Sequence, residues 1–298
     1  MIKITFLGTG SMVPTKERNH IAVLVSYKDE NILVDCGEGT QRQLKFADIS
    51  PTKVTKILIS HWHGDHVLGL PGLMYSLATC EYSKTLEIYG PKGAKEFMQH
   101  LLKGFAYRDQ ISYEIHEVSD GVFFEGKDFL LEAKSLIHTA PCFGYAFIEK
   151  DRRNIDVEYL KKNYNLSRHP VLKDLQAGKD IVWKGQTIKA SKATRVTEGK
   201  KIVFISDTAY CKSAVDLSKD ADLLVCESTY LSDLKDKAKD YLHLTAEQAG
   251  DIAKNAKVKK LVLTHFSQRY KDVKDIEDEV KKVFKDSICA KDFLVLEL

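Results

Sequence analysis

The sequence predicts an α/β (α+β) fold in which two mixed β-sheets lie face to face and are flanked by helices. Three observations carry that expectation. Strand-like runs fall into two groups, one near the start of the chain and one after residue 200; helical periodicity recurs between them; and the densest cluster of histidines follows directly on an apolar run. With 298 residues and 44% hydrophobic content, the chain is long enough for a substantial core. The expected organisation is one domain over 1–298 with a basic insertion at 150–195.

Taken in order, residues 2–6, 21–25 and 31–35 are short alternating runs separated by Gly, Pro, Asn and Asp, which predicts antiparallel strands. Helical spacing follows at 39–46, 70–80 and 93–105, with the apolar strand 57–59 between the first two. Beyond the insertion, 201–205, 221–226 and 260–264 read as strands, 245–256 and 273–283 as helices, and 292–296 as a terminal strand. Between 149 and 195 the pattern weakens. Residues 157–162 look helical, Asn163-Tyr164-Asn165 and His169-Pro170 interrupt them, and Gln176-Ala177-Gly178-Lys179 is a turn. That segment is expected to project from the core. No internal repeat is visible at the periods solenoids need.

No stretch approaches the roughly 20 apolar residues of a membrane span, and residues 1–8 alternate like a strand and lack the zones of a secretory signal. The six cysteines are scattered singly, with no C-x-x-C pair, and are read as reduced. A cytoplasmic location without membrane association is the expectation. A net charge of +3 does not by itself announce a nucleic-acid binder, but residues 151–195 hold 11 Lys and Arg against 5 Asp and Glu, a net of +6 that leaves −3 for the rest. Such a block concentrates a polyanion near one face, in a salt-dependent way.

The segment Ser60-His61-Trp62-His63-Gly64-Asp65-His66 gathers three imidazoles and a carboxylate at a strand exit. In extended backbone His61 and His63 share a side and can share an ion. Gly64 is expected to permit a sharp turn that aims Asp65 and His66 at a neighbouring position, which suggests two metal ions.

This spacing resembles the H-x-H-x-D-H signature of the metallo-β-lactamase superfamily, whose αββα sandwich is the fold already expected. The resemblance implies that His61, His63 and His138 bind one zinc, that Asp65, His66 and His265 bind a second, and that Asp207 bridges them. The three later residues each follow an apolar run, Ser135-Leu136-Ile137, Val203-Phe204-Ile205 and Leu261-Val262-Leu263, so each is expected at a strand end. Two zinc ions lower the pKa of bound water enough to supply hydroxide at neutral pH. Asp65 is placed to orient that water and is read as both ligand and catalytic base.

Further motifs select the substrate. Phe6-Leu7-Gly8-Thr9-Gly10-Ser11-Met12-Val13-Pro14-Thr15-Lys16-Glu17-Arg18-Asn19, Asp35-Cys36-Gly37-Glu38-Gly39-Thr40-Gln41, Phe143-Gly144-Tyr145, the stretch from Asp222 to Tyr230, His243-Leu244-Thr245, and Thr264-His265-Phe266-Ser267-Gln268-Arg269-Tyr270 resemble the ribonuclease Z family of tRNA 3′-processing endonucleases. The resemblance runs from Ile4 to about Tyr270. It implies a homodimeric zinc phosphodiesterase that removes the 3′ trailer from precursor tRNA and leaves a tRNA 3′-hydroxyl. In that chemistry the departing O3′ needs a proton. By family analogy His243 provides it and Glu227 fixes its tautomer. The ordinary alternative for His243 is a helix N-terminal position, but a capping box of Thr245 with Gln248 leaves it free to face the metals.

Substrate contacts follow from the same resemblance. Arg269 and Tyr270 are expected at phosphate oxygens, Lys16, Arg18 and Asn19 at the acceptor end, and Phe143 or Tyr145 stacked on a terminal base. Arg152, Arg153, Lys161, Lys162, Arg168, Lys173 and Lys179 would hold, from an arm, the backbone at the elbow of a tRNA that is bound at the partner subunit's active site. Where the family's arm commonly carries Gly-Pro, this chain reads His169-Pro170, so the turn must avoid φ > 0 or bear strain. The competing readings are a small-molecule phosphodiesterase, esterase or lactonase of the same fold, and a catalytically silent RNA-binding subunit. The basic block and Arg269 weigh against the first, and the intact set of seven metal-binding side chains against the second.

Overall fold

Period-two apolar runs at both ends of the chain become two seven-stranded sheets. The computed structural model describes residues 1–106 and 111–298. Its first stretch holds strands β1 (Ile2–Gly8), β2 (Ala22–Tyr27), β3 (Glu30–Val34), β4 (Lys56–Leu58), β5 (Thr85–Gly90), β6 (Ser112–Glu117), β7 (Gly121–Glu125), β8 (Phe129–Leu136) and β9 (Cys142–Glu149), with helices α1 (Thr40–Phe46), α2 (Gly64–Val67), α3 (Gly69–Thr79) and α4 (Ala94–Lys103). Next come β10 (Arg152–Ile155), α5 (Val157–Tyr164), α6 (Leu172–Gln176), β11 (Ile181–Trp183), β12 (Gln186–Ile188), α7 (Ala190–Ala193) and β13 (Thr194–Thr197). The last stretch holds β14 (Lys201–Ile205), α8 (Lys212–Ser218), β15 (Leu223–Glu227), α9 (Lys235–Tyr241), α10 (Ala246–Asn255), β16 (Leu261–Thr264), α11 (Lys274–Val283), β17 (Ser287–Cys289) and β18 (Val295–Glu297).

The chain divides into two compact units, Met1–Glu125 with Leu130–Phe147 and Lys201–Leu298, and Gly126–Phe129 with Ile148–Lys200. In the first, one sheet has the order β18-β1-β2-β3-β4-β5-β6 and the other β17-β16-β15-β14-β9-β8-β7. Both are mixed. The first is antiparallel from β18 to β3 and parallel from β3 to β6, while β14 to β17 run parallel in the second. Their inner faces meet in the core, where the Tyr27 and Phe147 rings contact edge to face at 5.4 Å. Outside the first sheet, Leu70, Leu73 and Leu77 of α3 bury their i, i+3, i+7 stripe against Leu24, Leu33 and Ile57. Gly250 of α10 lets α11 approach closely, since an added Cβ would lie 3.0 Å from Cβ of Val283.

The terminal strand begins at Val295, later than the expected 292. Asp292 is drawn out of the ladder because its carboxylate accepts hydrogen bonds from Thr9 Oγ1 at 2.8 Å and from the Asn19 N–H at 2.8 Å. Phe293 then turns with φ 67° before pairing resumes.

The second unit contains the segment 150–195 and is more ordered than its weak periodicity suggests. Strands β10 and β13 pair antiparallel, and β11 and β12 form a hairpin through Lys184 and Gly185, both at positive φ. Asp156 caps α5 by accepting from the Tyr159 N–H at 2.9 Å, and Asn165 ends it in the left-handed region. Leu160, Leu166, Leu175, Ile181 and Ile188 form a small core of their own. The strain considered for His169 does not arise, because it is not among the positive-φ residues; its ring lies against Trp183 at 4.7 Å.

Candidate metal centre

Parallel strands end side by side, and this brings the polar residues that follow them to one edge. In the second sheet Cys226 lies opposite Ile205 and Leu263, so Asp207, Glu227 and His265 emerge together from the ends of β14, β15 and β16. In the first sheet Val34 pairs with Leu58, and Asp35 and Ser60-His61 follow at that edge. Asp35 and His265 both occupy the left-handed region, at φ 57° and 60°, a conformation that non-glycine residues hold only where surrounding contacts fix it. Gly64 differs from expectation. It takes no positive φ but opens α2, so the reversal that separates His61 and His63 from Asp65 and His66 is made by a helical turn, with His63 as its extended N-cap.

Among the described residues three donor groups result; Glu227, His243 and His265 make one, and Asp207 belongs to the other two. In one, His63 Nδ1 lies 3.0 Å from His61 Nε2 and 3.3 Å from His138 Nε2, with Asp207 Oδ2 at 3.7 and 3.8 Å from those two Nε2 atoms. In the other, Asp65 Oδ2 is 3.4 Å from the Nε2 atoms of both His66 and His265, and Asp207 Oδ1 and Oδ2 lie 3.3 Å from His265 Nε2 and 3.5 Å from His66 Nε2. A tetrahedral ion with bonds of 2.0–2.1 Å spaces its ligand atoms by roughly 3.3 Å, so both groups are sized for one. Asp65 Oδ1, His66 Nε2 and Asp207 Oδ1 are buried without a hydrogen-bond partner, an arrangement that is costly unless a cation satisfies them.

Behind the donors, other groups fix which ring nitrogen faces inward. His66 Nδ1 donates to Asp35 Oδ2 at 2.8 Å, and Asp35 in turn accepts from the Ser60 N–H at 2.7 Å. His138 Nδ1 donates to the Leu242 carbonyl at 3.1 Å, and His265 Nδ1 to Thr229 Oγ1 at 3.0 Å. Thr229 Oγ1 then donates to Glu227 Oε2 at 2.6 Å. Each bond leaves Nε2 as the inward donor. Asp35, Thr229 and the Leu242 carbonyl were not singled out from sequence.

Electrostatics follow from burial and from three enclosed carboxylates. Burial lowers the pKa of His61, His63 and His138 and keeps them neutral, the form that binds metal. For His66 burial acts the same way, but Asp207, Asp35 and Asp65 outweigh it and pull its pKa well above the usual value. Asp65 and Asp207 are held far below the usual carboxylate range because the histidines around them overcome the penalty of burial. The cluster thus demands positive charge.

Beside it, His243 Nδ1 donates to Glu227 Oε1 at 3.1 Å. Glu227 is fully buried and also accepts from the Thr208 N–H at 2.8 Å. Burial works against a charged His243, yet Glu227 and Asp207 prevail and raise its pKa to about 9. Thr245 and Gln248 form the expected capping box on α10, which leaves the His243 side chain at the cleft.

A family model described as anti-Pycsar protein Apyc1 matches residues 2–287, and the chain is a member of the group it defines. Ribonuclease Z of Archaeoglobus fulgidus is 38% identical over 303 residues, covering 100% of this chain and 98% of the relative. Ribonuclease Z of Thermococcus kodakarensis is 40% identical, covering 97% and 90%. The chain belongs to the ribonuclease Z family. It is therefore an endoribonuclease, a hydrolase of the metallo-β-lactamase fold. The crystal structure of the short form of human tRNase Z is similar at a TM-score of 0.72 with 28% identity, over 99% of this chain and 98% of that one. The metallo-β-lactamase fold protein YhfI from Bacillus subtilis matches at 0.73 with 21% identity, over 100% and 99%, and supports the fold.

In this member of the ribonuclease Z family His63, Asp65, His138, Asp207 and His265 line a cleft of about 290 Å³, with His61 and His66 buried behind them. Of the side chains expected at the substrate, Lys16 and Arg269 are exposed. Arg269 rests its guanidinium on the Tyr230 ring, 5.2 Å from its centroid. Tyr270 is committed elsewhere, its hydroxyl accepting from the Leu231 N–H at 2.9 Å. Arg18 is buried and donates to the Tyr270 carbonyl, and Asn19 donates to the Glu38 carbonyl at 2.8 Å, so both brace the loop. Phe143 and Tyr145 are buried in β9, where the Tyr145 hydroxyl donates to the Ile59 carbonyl at 2.7 Å. They pack the core and hold the strand before His61, so neither ring is presented for stacking. In the second unit Arg152, Lys161, Lys162, Arg168, Lys173 and Lys179 are exposed, while Arg153 is half-buried and donates to Thr194 Oγ1 at 2.9 Å.

Proposed function

We propose that this endoribonuclease removes the 3′ trailer of precursor tRNA with two zinc ions, one held by His61, His63 and His138, the other by Asp65, His66 and His265, with Asp207 shared. The observation that carries this reading is the pair of donor groups joined at Asp207, with orphaned buried donor atoms facing each other. Neutral buried imidazoles and carboxylates suit zinc. When bound, such ions supply a strong oxygen nucleophile at neutral pH and neutralise charge on the phosphoryl group. The chain's own residues do the rest. Asp65 offers an acceptor that orients the attacking water. His243 carries the proton that O3′ needs on departure, and Glu227 holds that imidazole by Nδ1 so that Nε2 points outward.

Residues 150–195 serve in this reading as a basic arm that grips tRNA bound at the partner subunit of a homodimer. The net charge of +6 over 151–195 and the exposed lysines support it. All six cysteines are free, which suits a cytoplasmic protein. Among the described residues no helix is long and apolar enough to cross a membrane.

A small phosphodiester is the competing substrate, because a metal-activated water can attack that linkage as well as RNA and the fold alone does not choose between them. Zinc-loaded protein is to be incubated with end-labelled precursor tRNA and, separately, with bis(p-nitrophenyl) phosphate. A single cut at the base of the trailer, leaving a 3′-hydroxyl on the tRNA, is expected. Turnover of the small ester with no cleavage of RNA would defeat the proposal, and metal content well under one ion per chain would defeat the two-ion centre.

A further inference from the structure

Two segments that line the metal cleft present exposed apolar side chains, the surface that ligand sites commonly offer beside a few polar groups. Met12 is 57% exposed, Val13 42% and Tyr241 57%, and all three line the same cleft as His63, Asp65 and His243. Neither segment is a loose loop end. Gly10 bridges to Phe266, next to His265; the Ser11 N–H donates to the Phe266 carbonyl at 3.2 Å, and His20 Nε2 donates to the Met12 carbonyl at 3.1 Å. In the other segment Tyr241 ends α9, and Leu242 turns the chain at φ 54° while its carbonyl holds His138. One left-handed residue thus separates a ring on the rim from an imidazole on the floor.

We infer that Met12, Val13 and Tyr241 form a preorganised apolar rim that receives the bases of the unpaired nucleotides flanking the scissile linkage. This rests on the ribonuclease Z reading of the site and adds what holds the strand across it. Phe143 and Tyr145 are unavailable for that task because they are buried. The occupant is a nucleotide strand rather than an acyl chain or apolar peptide because cations sit beside the apolar surfaces. Lys237 Nζ is 5.7 Å from the Tyr241 ring centroid, and Arg269 stands on Tyr230 at the inner wall. Apolar faces alternating with positive charge match a chain of bases alternating with phosphates. A thioether and a phenol ring accept any base by its face, so the rim fixes position without reading sequence.

A cycle that changes enzyme and substrate together tests this. Single-turnover kcat/KM is measured for the wild type, Tyr241→Ala, Tyr241→Phe and Met12→Ala on precursor tRNA that is either natural or abasic at one of the two nucleotides flanking the cut. Circular dichroism and metal content are recorded for each protein. Tyr241→Ala is expected to lower cleavage of the natural precursor by about 5- to 150-fold, the range for removal of one base stack. Tyr241→Phe, which keeps the ring, should recover most of that loss. Removing the stacked base should erase the difference between Tyr241→Ala and wild type. Met12→Ala, at a well-exposed position, should show the same dependence for the other segment. Undiminished loss on both abasic substrates, or full activity of both alanine variants on the natural precursor, would overturn the inference. A wild-type enzyme that leaves natural precursor uncut overturns the underlying ribonuclease reading as well, and it does so before any variant is made.

Discussion

His243 and Glu227 form a nearly enclosed pair in which the ring donates through Nδ1 at 3.1 Å to a carboxylate that is fully buried. The carboxylate favours the protonated ring, so replacing Glu227 by Gln removes a negative charge and lets the ring lose its proton at lower pH. In the proposed mechanism the proton that His243 gives to O3′ is present only below that pKa. The alkaline limb of kcat for precursor tRNA is therefore expected to move to lower pH in Glu227→Gln. Bound cations oppose the proton, so the limb of the loaded wild type falls below the value of about 9 set by the protein groups alone. Superimposable limbs in the two proteins would show that Glu227 does not tune this group.

In the proposed mechanism Asp65 both holds metal and orients the attacking water, and its Oδ2 lies 3.4 Å from Nε2 of both His66 and His265. Asp65→Ala should lower turnover by several orders of magnitude on RNA and on small phosphodiesters alike, and reduce bound metal. Near-normal turnover would remove Asp65 from the mechanism.

Asp35 touches no expected substrate position but accepts from His66 Nδ1 and from the Ser60 N–H. Loss of such a partner typically costs about 10–100-fold in metal affinity. Asp35→Ala should show that loss by competition with a chelator, while excess metal restores part of the activity. Unchanged affinity would mean that His66 is oriented by its packing alone.

Gly37 lies under the centre. A Cβ there would meet His20 Cβ at 2.4 Å and the Asp65 carbonyl oxygen at 2.6 Å. Gly37→Ala is expected to destabilise the protein by about 1–3 kcal/mol, as overpacking does, and to displace Asp65. Denaturant titration and metal content measure the two effects, and wild-type values for both would contradict the close approach.

Neutralising Lys161, Lys162, Arg168 and Lys173 together removes exposed charge from the second unit without touching its Leu160–Leu175 core. Binding of precursor tRNA should weaken, and the salt dependence should become shallower by about one unit of slope for each phosphate that is no longer neutralised. Hydrolysis of a small phosphodiester should be unaffected. Equal losses on both substrates would place these residues outside tRNA binding.

The sheets were legible because their strands alternate or run apolar between turn residues, and helix α10 because Thr245 and Gln248 announce its cap. Of the seven metal-binding candidates, His61, His138, Asp207 and His265 follow the ends of apolar strands, while His63, Asp65 and His66 were legible from the H-x-H-x-D-H spacing that starts at His61. Other residues lacked a local signal. Asp35, Thr229 and the Leu242 carbonyl act on histidines 31, 36 and 104 positions away, so only the folded chain pairs them. Phe143 and Tyr145 lie in β9, which is flanked by β8 and β14 and buried along nearly its whole length. An apolar run in such a strand gives no sign of which side faces a cleft. Arg18 reads as a free surface cation until the Tyr270 carbonyl, 252 residues later, is seen to take its guanidinium. Gly64 misled because glycine suits both a sharp turn and the first turn of a helix.

His61, His63, Asp65 and His66 hang from the sheet that begins the chain, whereas His138, Asp207 and His265 hang from the other. Neither half owns a complete set of donors. The group of His61, His63, His138 and Asp207 is complete only once residue 207 has been made, and that of Asp65, His66, Asp207 and His265 only once residue 265 has, so in the proposed two-ion centre metal uptake waits on the closing of the two halves. Ions bound as proposed would act as rivets across the seam, and prolonged chelation should let the seam breathe, seen as faster amide exchange at the strand ends around the centre, before any helix melts.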